Sequence, residues 1–385
     1  QHGPAVVSRA PPDPSTMPMN EQKYRERASV TFGRPSSQKF KSGSGGGIGS
    51  ISACFDGCFS ALMAFPAENL PGSVVYPEAR PLDPLTPCIS WEALEPERRV
   101  GVTHVEVGST AKECSLGWVN QDAKAACAPP GKGEAGGSPA GGAKRDSSMF
   151  FCVFDGHGKN GHEVSAVAAE RLPAHLAAQP GGALAGPRQA IEAAFRKTDE
   201  DIYQALGPKV EYSGSTGVAV IMDPERRVLH VGNVGDSRAV VGQCVMDGKA
   251  IQWKAHALTT DNKADSPDEQ ERIELSGGTV MPMEGCAGED AGPARVWDSP
   301  AREKPGLAVS RSLGDGAGRA LGVIAEPVIT TYPLQPMDRF MLIASDGLWD
   351  SLGNEQAVKI TAKYLVRNLP HVSVKALTEA VRREE

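Results

Sequence analysis

The sequence predicts an α+β fold built from layers of sheet and helix. Short runs rich in β-branched and aromatic residues follow one another in a block, and several are joined by hairpin-like turns. The helical patterns come in pairs, at 163–178 with 187–206 and at 355–368 with 373–383. Blocks of strands with paired helices are typical of layered α+β domains and argue against a repeated strand–helix–strand order.

The individual elements follow from hydrophobic periodicity. In the second helix, Ile191, Phe195, Ile202 and Leu206 fall on one face, as expected of a helix that packs on a sheet. The apolar run at 149–154 is expected to be a buried strand. The expected strands, in chain order, are 102–107, 149–154, 217–222, 227–231, 239–241 and 339–344.

Length and composition indicate one large domain with flanking sequence. The chain has 385 residues, of which 40% are hydrophobic and 23% are charged, enough for a sizeable core. Residues 1–98 are rich in Pro, Ser and Gly, so we expect a mostly flexible N-terminal extension with a local element near 50–65. Residues 99–385 form the expected folded domain. A Gly/Ala/Pro/Lys tract at 128–144 is expected to be a surface insertion in a hairpin loop.

Charge and cysteine usage exclude several classes of protein. A formal net charge of -7 argues against general nucleic-acid binding and against a basic membrane surface. No run approaches the roughly 20 apolar residues of a membrane span. The eight cysteines are scattered without zinc-site spacing, so we expect free thiols in a reducing compartment, the cytoplasm or the nucleus. The chain begins with Gln1, which leaves any N-terminal signal open, and no pattern indicates the oligomeric state.

The most informative segment is Val-Phe-Asp-Gly-His-Gly at 153–158, which includes the end of the apolar run. Asp155 is expected at the end of the strand, where loops usually carry chemistry. The carbonyl of Gly156 can approach a cation closely because no side chain shields it, and Mg²⁺ and Mn²⁺ take oxygen ligands. His157 can hold a proton near neutral pH. Taken alone, the segment is equally compatible with an ordinary turn.

Further segments follow in an ordered series around Asp155. They are Val-Asn-Gln-Asp-Ala at 119–123, Ser-Gly-Ser-Thr at 213–216, Val-Gly-Asn-Val-Gly-Asp-Ser-Arg at 231–238, Leu-Thr-Thr-Asp-Asn-Lys at 258–263, Leu-Ala-Val-Ser-Arg-Ser-Leu-Gly-Asp at 307–315 and Ala-Ser-Asp-Gly-Leu-Trp-Asp at 344–350. Together these segments resemble the metal-dependent protein phosphatases, the type 2C serine/threonine family, from about Val102 to the C-terminus. The stretch from Asp155 to His162 resembles the plant-type branch.

The resemblance implies a four-layer α/β/β/α sandwich, two mostly antiparallel sheets flanked by helices, with the active site in a cleft at one end. It also implies two Mg²⁺ or Mn²⁺ ions as cofactors. Asp155 is expected to bridge the two ions, with the carbonyl of Gly156 on one and Asp346 on the other. Asp122 and Asp350 are expected to accept hydrogen bonds from waters on the metals.

Two more residues are expected to support this cleft, Asp236 and Thr216. An alternative stays open for Asp236, because Gly-Asp-Ser at 235–237 would also make a good turn, as would Gly-Asp-Gly at 314–316. The segment 282–305 corresponds to the variable flap beside the cleft of this family. Substrate choice is therefore expected to depend on it.

The chemistry implied is hydrolysis of phosphoserine and phosphothreonine in proteins by direct attack of a metal-bound water or hydroxide. A serine or threonine alkoxide is a poor leaving group, and His157, with an unperturbed pKa near 6.5, suits the protonation of that oxygen. His162 stands at an expected helix start, where a cap or packing role is commoner. The sequence contains no phosphate-binding glycine loop, no catalytic Cys with an Arg loop and no serine elbow, which disfavours a covalent phosphoenzyme.

The sequence departs from the family pattern in three places, which keeps a second reading open. Gly117 stands where many members have a phosphate-binding basic residue, so Lys112 or another base would have to replace it. Gln121 stands where many members have Glu. Members also end with a strand that supplies a further metal carboxylate, and this chain stops at Glu385, so weak metal binding is expected of the chain as written. The alternative to a phosphatase is therefore a catalytically silent binding or regulatory module.

Overall fold

The computed structural model describes residues 79–90, 92–93, 120–130, 147–248, 250–285, 290–367 and 370–384, all within one unit of the chain, Ser52–Glu385. Their strands are β1 (Ile89–Ser90), β2 (Asp122–Ala128), β3 (Met149–Gly158), β4 (Ser213–Ser215), β5 (Gly217–Asp223), β6 (Val228–Val234), β7 (Arg238–Asp247), β8 (Ala250–Ala257), β9 (Thr279–Glu284), β10 (Asp290–Trp297), β11 (Pro305–Leu307), β12 (Leu313–Gly314), β13 (Val328–Pro333) and β14 (Asp338–Ala344). Their α-helices are α1 (Gly161–Ala177), α2 (Pro187–Leu206), α3 (Pro267–Leu275), α4 (Gly316–Arg319), α5 (Asp346–Trp349), α6 (Asn354–Leu365) and α7 (Pro370–Glu384).

Two antiparallel sheets form the centre of the fold. The larger has the order β1-β2-β3-β5-β6-β13, with β4 pairing both β3 and β12. The smaller has the order β14-β7-β8. A third, separate sheet, β11-β10-β9, packs with α3 around a small core that includes Ile273, Val296 and Leu307.

Three hydrophobic clusters define four layers. Helices α1 and α2 pack on the outer face of the larger sheet, and α6 and α7 pack on the outer face of the smaller one. Between the sheets lies a third cluster. Strand β5 is apolar throughout because both of its faces are buried. Val218 and Val220 face the smaller sheet, whereas Ala219 and Ile221 face the helices. The predicted α/β/β/α sandwich is therefore confirmed.

The predicted helices agree closely with the structure. Helix α2 has the expected bounds, and Ile191, Phe195, Ile202 and Leu206 are all buried along its inner face. The other predicted helices differ from the structure by at most a few residues at each end. The predicted strand at 102–107 lies outside the described residues.

The folded domain begins earlier than its predicted boundary at residue 99. Residues 79–90 belong to the expected flexible extension, yet β1 pairs with β2. The backbone N–H of Arg80 donates to the Gln204 carbonyl at 2.7 Å, and Arg171 Nη1 donates to the Asp83 carbonyl at 2.6 Å. These contacts attach the segment to the sheet and to the first helix pair, which its composition could not indicate. Apart from residues 92–93, the rest of the expected extension lies outside the described residues, as does the centre of the insertion at 128–144.

Candidate active site

Asp155 lies inside a strand and not at its end. Strand β3 runs on to Gly158, because its partner changes from β5 to β4 as the side chains become polar. Asp122 on β2 is directly opposite Asp155. Thr216, between β4 and β5, holds the Asp155 backbone twice: its Oγ1 accepts from the Asp155 N–H at 3.1 Å, and its own N–H donates to the Asp155 carbonyl at 2.9 Å.

The smaller sheet delivers the second group of carboxylates. Asp346 is the first residue of α5, immediately after β14 and Ser345. Ser345 Oγ donates to Asp122 Oδ2 at 3.2 Å, which joins the ends of the two sheets. One helical turn later, the Asp350 N–H donates to the Asp346 carbonyl at 2.8 Å. The predicted Asp122, Asp155, Asp346 and Asp350 therefore meet at one end of the sandwich.

Burial and mutual repulsion disturb the ionisation of these carboxylates. The pKa of Asp155 is raised well above its usual value, first by burial and then by the charges of Asp346, Asp122 and Asp236. Burial, followed by the charge of Asp236, raises the pKa of Asp346 to about 7. Burial also raises the pKa of Asp122 and that of Asp350. Two carboxyl groups this close to each other favour the retention of a proton on one of them.

Clustered carboxylates of this kind are a suitable donor set for hard divalent cations. No group of three or more His, Cys, Asp or Glu side chains in the described part of the chain is already arranged to hold a metal ion. The donor chemistry nevertheless fits, because opposite charge would relieve the repulsion that raises these pKa values. Gly156, the next residue along β3, is packed closely against the neighbouring backbone. A Cβ at this position would collide with the backbone oxygen of Gly161 and lie 2.7 Å from that of Gln121, so only glycine allows this close approach.

Asp236 is also part of this end of the sandwich. It is only 5% exposed, and its Oδ2 accepts a hydrogen bond from Lys263 Nζ at 2.6 Å. The neighbouring Ser237 Oγ lies 2.7 Å from Thr216 Oγ1. The predicted supporting residues Asp236 and Thr216 therefore lie beside the carboxylates. The pairing with Lys263 did not follow from the sequence.

His157 lies next to the carboxylates and is held by Asp315, a residue that the sequence left open between a turn and a role in the cleft. Its Nε2 is 2.7 Å from Asp315 Oδ2. Asp315 is 1% exposed and has a left-handed backbone with φ of 51°, a conformation that Asp tolerates better than most residues. A Cβ at Gly214 would collide with this carboxylate. The Gly-Asp-Gly sequence at 314–316 signals such a turn, but nothing in it indicates a partner 158 residues away.

The charge of Asp315 decides the protonation of His157. Burial lowers the pKa of His157, but the charge of Asp315 and the hydrogen bond to it raise it, as do the charges of Asp236 and Asp346. The net pKa is raised, which favours the imidazolium. Nδ1 makes no hydrogen bond within the described residues and is the atom left to donate. His162, by contrast, lies in the first turn of α1, whose N-cap is Asn160.

Residues 126–385 match the family model described as Protein phosphatase 2C. The chain belongs to the protein phosphatase 2C family. The resemblance to the metal-dependent phosphatases and their plant-type branch is therefore confirmed. The family is metal-dependent. Among the helices in the described part of this family member, none combines the length and apolar character that a membrane crossing requires.

Plant proteins are among the curated relatives of this protein phosphatase 2C domain. "Probable protein phosphatase 2C 72" of Arabidopsis thaliana is 38% identical over 218 residues, which cover 54% of this chain and 62% of that protein. "Probable protein phosphatase 2C 64" of Oryza sativa subsp. japonica is 36% identical over 244 residues, covering 62% and 54%. The chain thus spans less than two thirds of the length of these relatives.

Solved structures support the fold. A serine-threonine phosphatase 2C from Toxoplasma gondii superposes with a TM-score of 0.55 at 22% identity, over 69% of this chain and 87% of that one. A C. elegans sex determining protein gives a TM-score of 0.51, also at 22% identity, over 68% of this chain and 59% of that one. At this identity the likeness concerns the fold alone.

Proposed function

We propose that the protein hydrolyses phosphoserine and phosphothreonine in other proteins and depends on divalent cations to do so. The observation that carries this proposal is the junction of the two sheets, where Asp122, Asp155, Asp346 and Asp350 come together beside His157, whose pKa is raised by the charge of Asp315. Acidic residues that repel one another next to a proton donor suit the hydrolysis of a phosphate ester.

The cofactors we propose are two Mg²⁺ or Mn²⁺ ions. Asp155, the carbonyl of Gly156 and Asp346 would hold them, with Asp122 and Asp350 orienting their waters. Such ions supply positive charge for the phosphoryl oxygens and a nucleophile available at neutral pH. The supporting observation is that the carboxyls of Asp155 and Asp346 lie together with raised pKa values, next to the carbonyl of Gly156.

The protein contributes the proton for the leaving group. His157 is 17% exposed, and Asp315 binds its Nε2 and stabilises the imidazolium. Its Nδ1–H is then the donor that we propose for the departing serine or threonine oxygen. Buried and only 1% exposed, Asp315 fixes the ring and does not touch the substrate in this proposal. It is a positioning residue.

A silent binding module is the alternative that the sequence left open. The relatives named above are called probable protein phosphatases, which favours the enzyme. The base that would replace Gly117 is not identified, because Gly117 and Lys112 lie outside the described residues.

The test is turnover of a phosphothreonine peptide by Asp155→Asn and Asp346→Asn variants of the full-length protein. We expect losses of about 10³-fold or more in each, and loss of wild-type activity on chelation, because several kcal/mol of charge stabilisation depend on the ions. Asp223→Asn is the control, since Asp223 is a buried carboxylate of the same sheet, 1% exposed, but lies at the other end of β5 from Gly217. Full turnover by Asp155→Asn in chelator, in a protein that melts like the wild type, would contradict the proposal.

A further inference from the structure

The turn that carries Asp315 is fixed by side chains of helix α2. Gly314 and Asp315 are consecutive left-handed residues, with φ of 78° and 51°. The N–H of Gly314 donates to Asp199 Oδ1 at 2.8 Å, and the hydroxyl of Tyr203, one helical turn further along, donates to the Gly314 carbonyl at 2.9 Å. Both backbone polar groups of Gly314 are therefore bonded to α2, a helix on the outer face of the larger sheet.

One arginine joins the rest of this turn to the same carboxylate. Arg319, the last residue of α4, directs Nη2 to Asp199 Oδ1 at 2.8 Å and to the Ser312 carbonyl at 2.8 Å. The Asp199 and Arg319 side chains are 17% and 21% exposed, and hydrogen bonds between charged groups are stronger than those between neutral ones. Asp199 and Arg319, which we call the clamp, thus hold the segment from Ser312 to Arg319 against α2.

The turn needs this support because its conformation is unfavourable by itself. A left-handed backbone at a residue other than glycine persists only where the surrounding structure holds it. Asp315 is also 1% exposed, and its Oδ1 makes no hydrogen bond among the described residues. The result of this conformation is the position of Asp315 Oδ2, 2.7 Å from His157 Nε2.

A second aspartate of α2 shows that this connection to the cleft belongs to Asp199 and not to the helix in general. Asp201, two residues later, places its Oδ2 at 2.8 Å from Nε2 of His175 on α1. The Asp201 side chain is 20% exposed, close to the 17% of Asp199. Two similar carboxylates of one helix therefore bond to different parts of the protein, one to the turn beside the cleft and the other to the neighbouring helix.

We propose that Asp199 is a positioning residue for proton donation by His157. Through Arg319 and Gly314 it holds Asp315 in its left-handed conformation, and Asp315 in turn fixes the imidazole ring. Asp199 does not touch the substrate in this series of contacts. The inference rests on the proposed function, since the orientation of His157 matters only if the protein hydrolyses phosphate esters that have a poor leaving group.

The first test is turnover of a phosphothreonine peptide and of nitrophenyl phosphate by Asp199→Asn in the full-length protein with Mg²⁺ or Mn²⁺. An amide cannot form the ion pair with Arg319, so the turn should loosen. We expect kcat on the peptide to fall about tenfold, within the loss of about 10²-fold that a displacement of about 1 Å can cause. The KM for the peptide and the turnover of nitrophenyl phosphate should each stay within about twofold, because neither depends on proton donation. An unchanged ratio of kcat for the two substrates would overturn the proposal.

Two further variants separate positioning from stability. Asp201→Asn removes the matched carboxylate of α2 and should lower the melting temperature without changing the substrate ratio. An equal fall of the ratio in Asp201→Asn would show that loosening α2 is sufficient, which rejects the proposal. Tyr203→Phe removes only the hydroxyl that bonds to Gly314 and should lower the ratio about threefold, the order expected for one hydrogen bond. If Asp199→Asn does not fold, Tyr203→Phe decides, and an unchanged ratio there rejects the proposal.

A double variant shows whether Asp199 acts through His157. In His157→Ala the ring is absent, so adding Asp199→Asn should not slow turnover of the peptide further. A further tenfold loss in the double variant would assign the effect of Asp199 to another part of the cleft and reject the proposal.

The outcomes distinguish this inference from the proposed function. If the wild type hydrolyses the peptide and His157→Ala lowers the substrate ratio while Asp199→Asn leaves it unchanged, only this inference fails. If the wild type hydrolyses neither substrate with Mg²⁺ or Mn²⁺, the proposed function fails and this inference fails with it.

Discussion

Two histidine–aspartate pairs in this protein have almost the same hydrogen-bond distance, but the pKa values of their histidines are shifted in opposite directions. His157 Nε2 is 2.7 Å from Asp315 Oδ2, and His175 Nε2 is 2.8 Å from Asp201 Oδ2. The histidine side chains are 17% and 9% exposed. The pKa of His157 is nevertheless raised, whereas that of His175 is lowered.

The difference comes from the charges around each pair. Burial lowers the pKa of both histidines, and each aspartate raises it. His157 then has Asp236 and Asp346 nearby, which add to the effect of its partner. His175, which joins α1 to Asp201 on α2, instead has Lys197 and Arg171 nearby, and their positive charges lower its pKa further.

A hydrogen bond between histidine and aspartate is therefore not sufficient evidence of a catalytic acid. The neighbouring charges decide whether the ring carries a proton near neutral pH. In the acidic cleft they favour the imidazolium, which can donate. Between the helices they favour the neutral ring, which serves packing and hydrogen bonding.

The largest expected effect is on the leaving group. In His157→Ala, turnover of a phosphothreonine peptide should fall by about 10² to 10⁴, the usual contribution of a general acid. Nitrophenyl phosphate should be affected far less, because nitrophenolate departs without protonation. The measurement is the ratio of kcat/KM for the two substrates.

His175→Ala is the matched control for that experiment. It removes the other buried histidine of a pair, so it should cost stability and leave the substrate ratio unchanged. Equal losses on both substrates in His157→Ala would instead assign His157 to the structure of the cleft or to the metal site.

A smaller effect is expected from removing the negative charge of Asp315, which raises the pKa of His157. In Asp315→Asn the pKa of His157 should fall, since burial is then less opposed. A general acid works only while it is protonated. The alkaline decline in activity should therefore begin at a lower pH in this variant than in the wild type. At alkaline pH we expect turnover about 3- to 10-fold below the wild type.

The pH profile of kcat on the phosphothreonine peptide measures this shift. Asp201→Asn, the equivalent change in the other pair, should leave the profile where it is. An alkaline limb that is unmoved in Asp315→Asn would show that Asp315 does not control the proton on His157.

The sequence predicted the members of the cleft better than their connections. Asp155 and Asp346 were predicted from the family resemblance, supported by a local pattern in which each follows an apolar run and precedes glycine. The length of β3 was wrong, because the apolar run stops at Phe154 while backbone pairing continues with β4. A change from apolar to polar residues shows where the side chains leave the core, but it does not show where the backbone pairing of a strand ends.

Pairs that join distant segments could not be predicted. Asp315 reaches His157 across 158 residues, and Lys263 reaches Asp236 across 27. In each case one partner lies in a sequence that also suits a turn, so local pattern alone gave it a conformational role. The charges that separate His157 from His175 likewise come from other elements of the fold, and only the structure brings them together.

The smallest expected effect concerns stability and separates the two histidines by the sign of its pH dependence. A histidine whose folded pKa is lowered contributes stability that is present above its unfolded value, near 6.5, and is lost as the pH falls through the folded pKa. The stability of His175→Gln should therefore fall less on acidification than that of the wild type. Near neutral pH the variant should be less stable by about 1 kcal/mol, because it loses the hydrogen bond of His175.

His157 should behave in the opposite way. Its folded pKa is raised, so its contribution is fully present below its unfolded pKa and is lost as the pH rises through the folded pKa. Denaturant unfolding of His175→Gln and His157→Gln in chelator, from pH 5 to pH 9, measures both. Opposite slopes are expected because acidic groups surround one ring and basic groups the other. Parallel slopes in the two variants would mean that the aspartate partner, and not the wider field, sets the ionisation of each ring.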